Sequence, residues 1–266
     1  MVLAGTLAAC AGFLLLGGAG IFLLLNLADR RAVRLLRRVP PAPIASIVPA
    51  ALATPAVAGT VQAGSRPVSR GRFAAEGVTA PGPAGIQIAP VSGDECAWYS
   101  VRLTREPSRR DSDLSQDLLL EASAPDRPAL LDATGRLPLS PALVCRPPEH
   151  PVPYVVTRLT YRTSAPVPLP ALVPPDVVAG LRRSESLVLT ETRLPLALPV
   201  FVSGRLTPDG LDLPRSGPAF CTTRPYTELH TALRADITLA TRLILGSTAL
   251  GTLLLFAATT LLHVAT

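Results

Sequence analysis

Two long uncharged stretches frame this chain, and the sequence between them breaks into short alternating runs. Residues Met1 to Ala28 carry no charged side chain and include Phe13-Leu14-Leu15-Leu16 and Ile21-Phe22-Leu23-Leu24-Leu25. At about 1.5 Å per residue, a helix of this length exceeds the roughly 20 apolar residues that cross a bilayer. A cleavable signal peptide needs a basic region before its apolar core. Here the basic residues come after it, at Arg30, Arg31, Arg34, Arg37 and Arg38. The pattern predicts a transmembrane anchor over residues 1–28, its helix running on to Val39 and stopping at Pro40-Pro41.

Residues 243–262 form the second uncharged stretch, with Arg234 and Arg242 on its N-terminal flank and no basic residue after it. Both sets of flanking arginines therefore border the central segment. Basic residues close to spans collect on the cytoplasmic side, so the central segment is expected in the cytoplasm. Cys96, Cys145 and Cys221 fit a reduced compartment, where thiols need not pair. Small residues recur at four-residue spacing, Ala4, Ala8 and Gly12 in the first span and Ser247 and Gly251 in the second. Such faces let helices approach closely in lipid and permit self-association through the spans. Neither span holds Asp, Glu, Lys or Arg, which leaves an ion pathway or proton relay without residues.

Residues 29–56 read as a basic helix end followed by a Pro/Ala-rich, semi-extended tether. Over 57–236 the texture becomes β, with short apolar runs split by Gly, Pro, Asp and Ser. Expected strands are Val57–Val61, Ile86–Ile88, Cys96–Leu103, Leu118–Ala122, Ala129–Leu131, Ser186–Leu194 and Pro199–Leu206. The turns Asp132–Gly135 and Pro208–Gly210 close hairpins, glycine supplying the positive φ. The polar stretch 107–113 reads as a mobile loop, and Asp176–Leu181 as a short helix. A helix begins at Pro225 and carries an apolar face of Tyr226, Leu229, Leu233 and Ile237 into the second span. The fold class is thus α+β: two transmembrane helices flanking a β-rich, barrel- or sandwich-like domain.

Composition narrows the chemistry. The chain is 48% hydrophobic and only 17% charged, against roughly 25% charged in an average soluble domain. Its 29 prolines oppose a helical bundle. All 25 basic residues are arginine, which excludes a P-loop lysine, a Schiff base and a lysine general base; it is also the codon signature of a GC-rich bacterial source. The four cysteines contain no CxxC pair, and no GxSxG, HExxH, GxGxxG or Walker sequence occurs. Glu149-His150 lies in a proline-rich loop, and His230 sits on the juxtamembrane helix. No catalytic, metal or cofactor site is predicted. With 4% aromatic residues, stacking platforms for nucleic acid are few. The candidate binding residues are Trp98, Tyr99 and Arg102, where alternation predicts one ring in the core and one at the surface. The arginines Arg30, Arg31, Arg34, Arg37, Arg38 and Arg242 would favour anionic lipid headgroups by about 1 kcal/mol each.

Four segments, in order, carry a family resemblance. Pro90-Val91-Ser92-Gly93-Asp94-Glu95-Cys96-Ala97-Trp98-Tyr99 resembles the P-x-S/T-G-x-x-C-x-W-Y strand start of GIDE, or beside-a-membrane (BAM), domains. Leu131-Asp132-Ala133-Thr134-Gly135-Arg136 resembles the D-x-T-G hairpin that follows it there. Glu191-Thr192-Arg193-Leu194-Pro195, continuing to Pro199-Val200-Phe201-Val202-Ser203-Gly204, is similar to the family block E-x-x-L-P-x-G-x-P-x-x-V-x-G. Ser216-Gly217-Pro218-Ala219-Phe220 completes the order. Leu196, Ala197 and Leu198 stand where the family carries its glycine, which predicts a different turn.

The resemblance covers roughly residues 55–240 and implies a domain held between two spans, as in Mulan-type mitochondrial RING ubiquitin ligases. Those relatives add a C-terminal RING, with two zinc ions at four Cys/His ligands each. This sequence has four Cys and three His, with Cys10 inside the first span and Thr266 four residues past the second. A RING is therefore not expected. The function implied is a non-catalytic membrane-anchored binding or scaffold module whose partner is a protein or peptide, itself membrane-bound in one version. The ubiquitin-transferase role of the family is the alternative.

Overall fold

The computed structural model describes residues 2–47, 71–107, 117–145 and 151–265. The expected strand Val57–Val61, most of the 107–113 loop and the Glu149-His150 pair lie outside the described residues. In chain order the elements are α1 (Val2–Arg38), α2 (Ile44–Ile47), β1 (Arg72–Ala80), β2 (Gln87–Ile88), β3 (Glu95–Cys96), β4 (Trp98–Glu106) and β5 (Asp117–Ser123). There follow β6 (Ala129–Leu131), β7 (Arg136–Pro138), α3 (Pro141–Val144), β8 (Val155–Arg162), α4 (Pro175–Ala179), β9 (Ser186–Leu194), β10 (Pro199–Thr207), β11 (Gly210–Asp212), β12 (Phe220–Thr222) and α5 (Tyr226–Ala265). They fall into two compact units, essentially residues 1–40 with 226–266, and residues 41–215 with 219–225.

The first unit is an antiparallel pair of α1 and α5, both long and apolar enough to cross a membrane. Gly12 faces Gly251: a Cβ added at Gly12 would stand 3.0 Å from the Gly251 carbonyl oxygen and 2.8 Å from Leu255. At the arginine-rich end, the Asn26 amide donates to the Ile237 carbonyl and to Thr241 Oγ1, each at 3.1 Å. The Tyr226 hydroxyl donates to the Leu36 carbonyl at 3.3 Å. The outer surface of both helices is lined with exposed large apolar side chains, among them Phe13, Leu14, Ile21, Leu245, Leu253 and Phe256. The helix starting at Tyr226 runs without a break through residues 243–262, as its apolar face predicts.

The second unit is built on two antiparallel sheets and a small β2–β3 ribbon. One sheet runs β11-β10-β1-β6-β7, with β12 also on β10. A bridge between Leu139 and Leu211 brings its two ends together, and the Ser140 N–H donates to the Leu211 carbonyl at 2.8 Å. The sheet is therefore nearly a barrel. Gly210 permits this closure. Its φ of +117° suits glycine alone, and any Cβ there would collide with the Pro138 carbonyl. Inward residues Leu130, Leu137, Leu139, Val202 and Leu211 fill the core with Ile44, Ile47, Leu143, Trp98 and Leu194.

The other sheet runs β5-β4-β9-β8. Its inner face, Val101, Leu103, Leu187 and Leu189, packs beneath Val173, Leu172 and Val177 from the segment carrying α4.

One expectation is corrected here. Residues 41–47 do not belong to an extended tether. Residues 44–47 form α2, with Ile44 and Ile47 fully buried, because the Ala42 N–H donates to Ala74 and side chains of the 132–135 turn hold the first turn of α2. Cys145 lies at the C-terminal cap of α3.

Candidate functional site

The outward face of the four-stranded sheet is the surface that carries Arg102. Register places Glu121, Arg102, Thr190 and Arg158 in one row across β5, β4, β9 and β8. Ser123, Ser100, Thr192 and Val156 form the row on one side, while Thr104 and Val188, both buried, and the exposed Thr160 lie on the other. β-Branched and hydroxyl residues suit a pleated surface that is half solvated, and this one is edged by charges. Arg102 meets Glu121 at 3.3 Å, and Arg158 meets Glu106 at 3.2 Å. All four side chains are exposed, so each pair contributes about 0–1 kcal/mol. They remain available to a partner.

Trp98 and Tyr99 do not divide as alternation predicts. Trp98 is 3% exposed and belongs to the barrel core, while Tyr99 is half-buried and packs against both cores. At this end β4 is covered on both faces, so period-2 alternation has no solvent side to find. Of the three binding candidates, Arg102 is the one whose side chain stands clear of the protein. Arg30, Arg31, Arg34, Arg37, Arg38 and Arg242 are all exposed, and the Arg30 guanidinium reaches Thr241 Oγ1 at 3.5 Å.

The segments that carry the family resemblance meet in space. Glu191 is fully buried on β9, and its carboxylate accepts the Val91 N–H at 2.6 Å and the Ser92 N–H at 3.3 Å. Arg193, two residues on, pairs with Asp94 at 2.7 Å. The Pro90–Asp94 turn is thus clamped from below by one acid and one base. Sequence reading missed this role. Its only signal was a lone acid two residues past the apolar run Leu187–Leu189.

Asp132 organises a second junction. Its Oδ1 accepts the Thr134 N–H, the Thr134 hydroxyl and the Gly135 N–H, all within 2.8 Å, and Oδ2 accepts the Ile44 N–H at 2.8 Å. Thr134 Oγ1 accepts the Ala45 N–H at 3.0 Å. The D-x-T-G turn therefore caps α2. Burial pushes the Asp132 carboxyl up, but the four hydrogen bonds outweigh it and hold its pKa below the usual carboxylate value.

Ala197 sits at φ +53° where the family glycine stands. The turn adopts a glycine-type conformation without a glycine, held by Thr79, which donates to Pro195 and accepts from Leu198.

Burial raises the Cys96 thiol, with the Glu191 charge adding to it, and takes Cys221 to about 12; Cys145 is exposed. His230 packs on Tyr226 with ring centres 6.0 Å apart. Among the described residues, no three His, Cys, Asp or Glu side chains gather in a metal-binding group. No protein-family model, curated protein or solved structure matches the chain.

Proposed function

We propose that this chain is a two-span integral membrane protein that displays its β unit in the cytoplasm as a non-catalytic binding or scaffold module of GIDE type. The observation that carries the membrane reading is the outer surface of the helix pair. Leu14 is 78% exposed and Phe256 71% exposed, and a surface of that kind is stable in hydrocarbon but not in water. The arginines bordering the central segment support a cytoplasmic β unit and attraction to anionic headgroups. The GIDE reading is supported by the contact between motifs that the family carries as separate blocks: Glu191 and Arg193 hold the Pro90–Asp94 turn. A ubiquitin-transferase role is not part of the proposal, because among the described residues no three His, Cys, Asp or Glu side chains gather in a metal-binding group. The partner is a protein or peptide docking on the Arg102 face.

Two measurements test this. In a background with Cys10 and Cys145 changed to Ser, Arg102→Cys should react with a membrane-impermeant maleimide in intact cells only after permeabilisation. Labelling before permeabilisation overturns the orientation. A photo-crosslinker at position 102 should repeatedly capture one membrane partner, with capture lost in Arg158→Glu. Capture of lipid and copies of the chain alone rejects the scaffold role.

A further inference from the structure

A polar pocket of about 420 Å³ opens at one end of the four-stranded sheet, four residues along β4 from Arg102. Register builds its floor, because Glu106, Ser186 and Arg162 lie opposite one another on β4, β9 and β8. Two turns form its walls. After β8 the chain doubles back, with the Ala165 N–H donating to the Arg162 carbonyl at 3.1 Å, and Ser164 joins the lining. Before β9 the turn 182–185 closes through the Glu185 N–H and the Arg182 carbonyl at 3.0 Å, and it contributes Arg183 and Ser184.

The charges there do not balance. Glu106 pairs with Arg158 at 3.2 Å. Glu185, 4% exposed, accepts the Arg182 N–H at 2.9 Å and lies 3.9 Å from the Arg182 guanidinium. Each carboxylate therefore has an arginine partner that lies outside the pocket lining. The Ser186 hydroxyl donates to the Glu106 carbonyl at 3.2 Å and has no second proton to offer. Arg162 and Arg183 are exposed and have no acidic partner among the described residues. Arg162 and Arg183, with Ser164 and Ser184, line one opening.

A single carboxylate would answer only one of those positive charges. A phosphomonoester carries about −1.5 to −2 at neutral pH, with three acceptor oxygens, and guanidinium forks match such oxygens in pairs. The volume falls within the roughly 300–1,000 Å³ range of pockets that hold small organic ligands. We infer that this pocket binds a phosphomonoester, presented either by a small soluble solute or by a lipid headgroup. The assignment is independent of the protein partner proposed for the Arg102 face.

Calorimetry on the full chain in neutral detergent micelles tests it, with glycerol phosphate as the soluble probe and dioctanoyl phosphatidic acid as the lipid one. Arg162→Gln and Arg183→Gln should each weaken saturable binding about tenfold, the loss expected for one charge-assisted contact. Arg215→Gln removes an exposed arginine elsewhere and should leave binding unchanged. Loss with glycerol phosphate identifies a soluble ligand, and loss with phosphatidic acid alone identifies a headgroup. Saturable binding of neither probe overturns the assignment. So does equal weakening by Arg215→Gln, which would indicate attraction to net charge only.

Discussion

At the scale of single residues, Ala197 is held in a conformation that its side chain resists. At φ +53° an L-residue is disfavoured by about 1–2 kcal/mol, and glycine recovers this at an unfolded-state entropy cost of roughly 0.4–1 kcal/mol. Ala197→Gly should therefore stabilise the protein by about 0.5–1 kcal/mol, read as a raised Tm for the full chain in detergent. Asp132 makes the opposite kind of prediction. Its carboxyl is lowered in the folded state, so its contribution is fully present above the unfolded value near 3.9 and is lost as pH falls through the folded value. Asp132→Asn should cost about 1 kcal/mol at neutral pH, the usual worth of a helix cap. The difference from wild type should shrink below about pH 4. A constant difference across that range would remove the charge from the explanation.

At the scale of elements, the helix pair depends on two glycines that face each other and not on glycine content in general. A Cβ at Gly12 would meet Leu255 and the Gly251 backbone, whereas one at Gly18 meets nothing within 4 Å. Gly12→Ala should cost about 1–3 kcal/mol through overpacking, and Gly18→Ala should gain about 0.4–1 kcal/mol through lower unfolded-state entropy, by helical circular dichroism melts in micelles. How far each element was legible follows the same logic of local against distant cause. β9 and β10 were readable because alternation, β-branched residues and flanking turns agree along the chain, and β6 because the Asp132–Gly135 turn follows its apolar run. β1 was not: Ala74, Ala75 and Gly77 have little strand preference, and the strand exists because β10 and β6 pair with it on either side. α2 was hidden too, since the carboxylate that caps it lies 88 residues away. In the candidate surface Arg102 was legible as an exposed strand residue. The buried clamp of Glu191 was not, because nothing local shows that two N–H groups 100 and 99 residues away need an acceptor.

At the scale of the whole molecule, the arginines are the orientation signal of the proposed membrane protein. Replacing Arg30, Arg31, Arg34, Arg37 and Arg38 by Gln should give mixed topology, seen as maleimide labelling of Arg102→Cys in part of the population without permeabilisation. An unchanged labelling pattern would show that the β unit itself fixes the orientation. The bond from Asn26 across the helix pair reaches further, into biosynthesis. Its acceptors at Ile237 and Thr241 lie 211 and 215 residues downstream. At roughly 5–20 residues per second of translation, the carboxamide waits about 10–40 s before its partner helix exists. During that interval the nascent α1 has a polar group without its mate, so in the proposed membrane protein a chaperone or the insertion machinery would have a defined task and a defined moment of release.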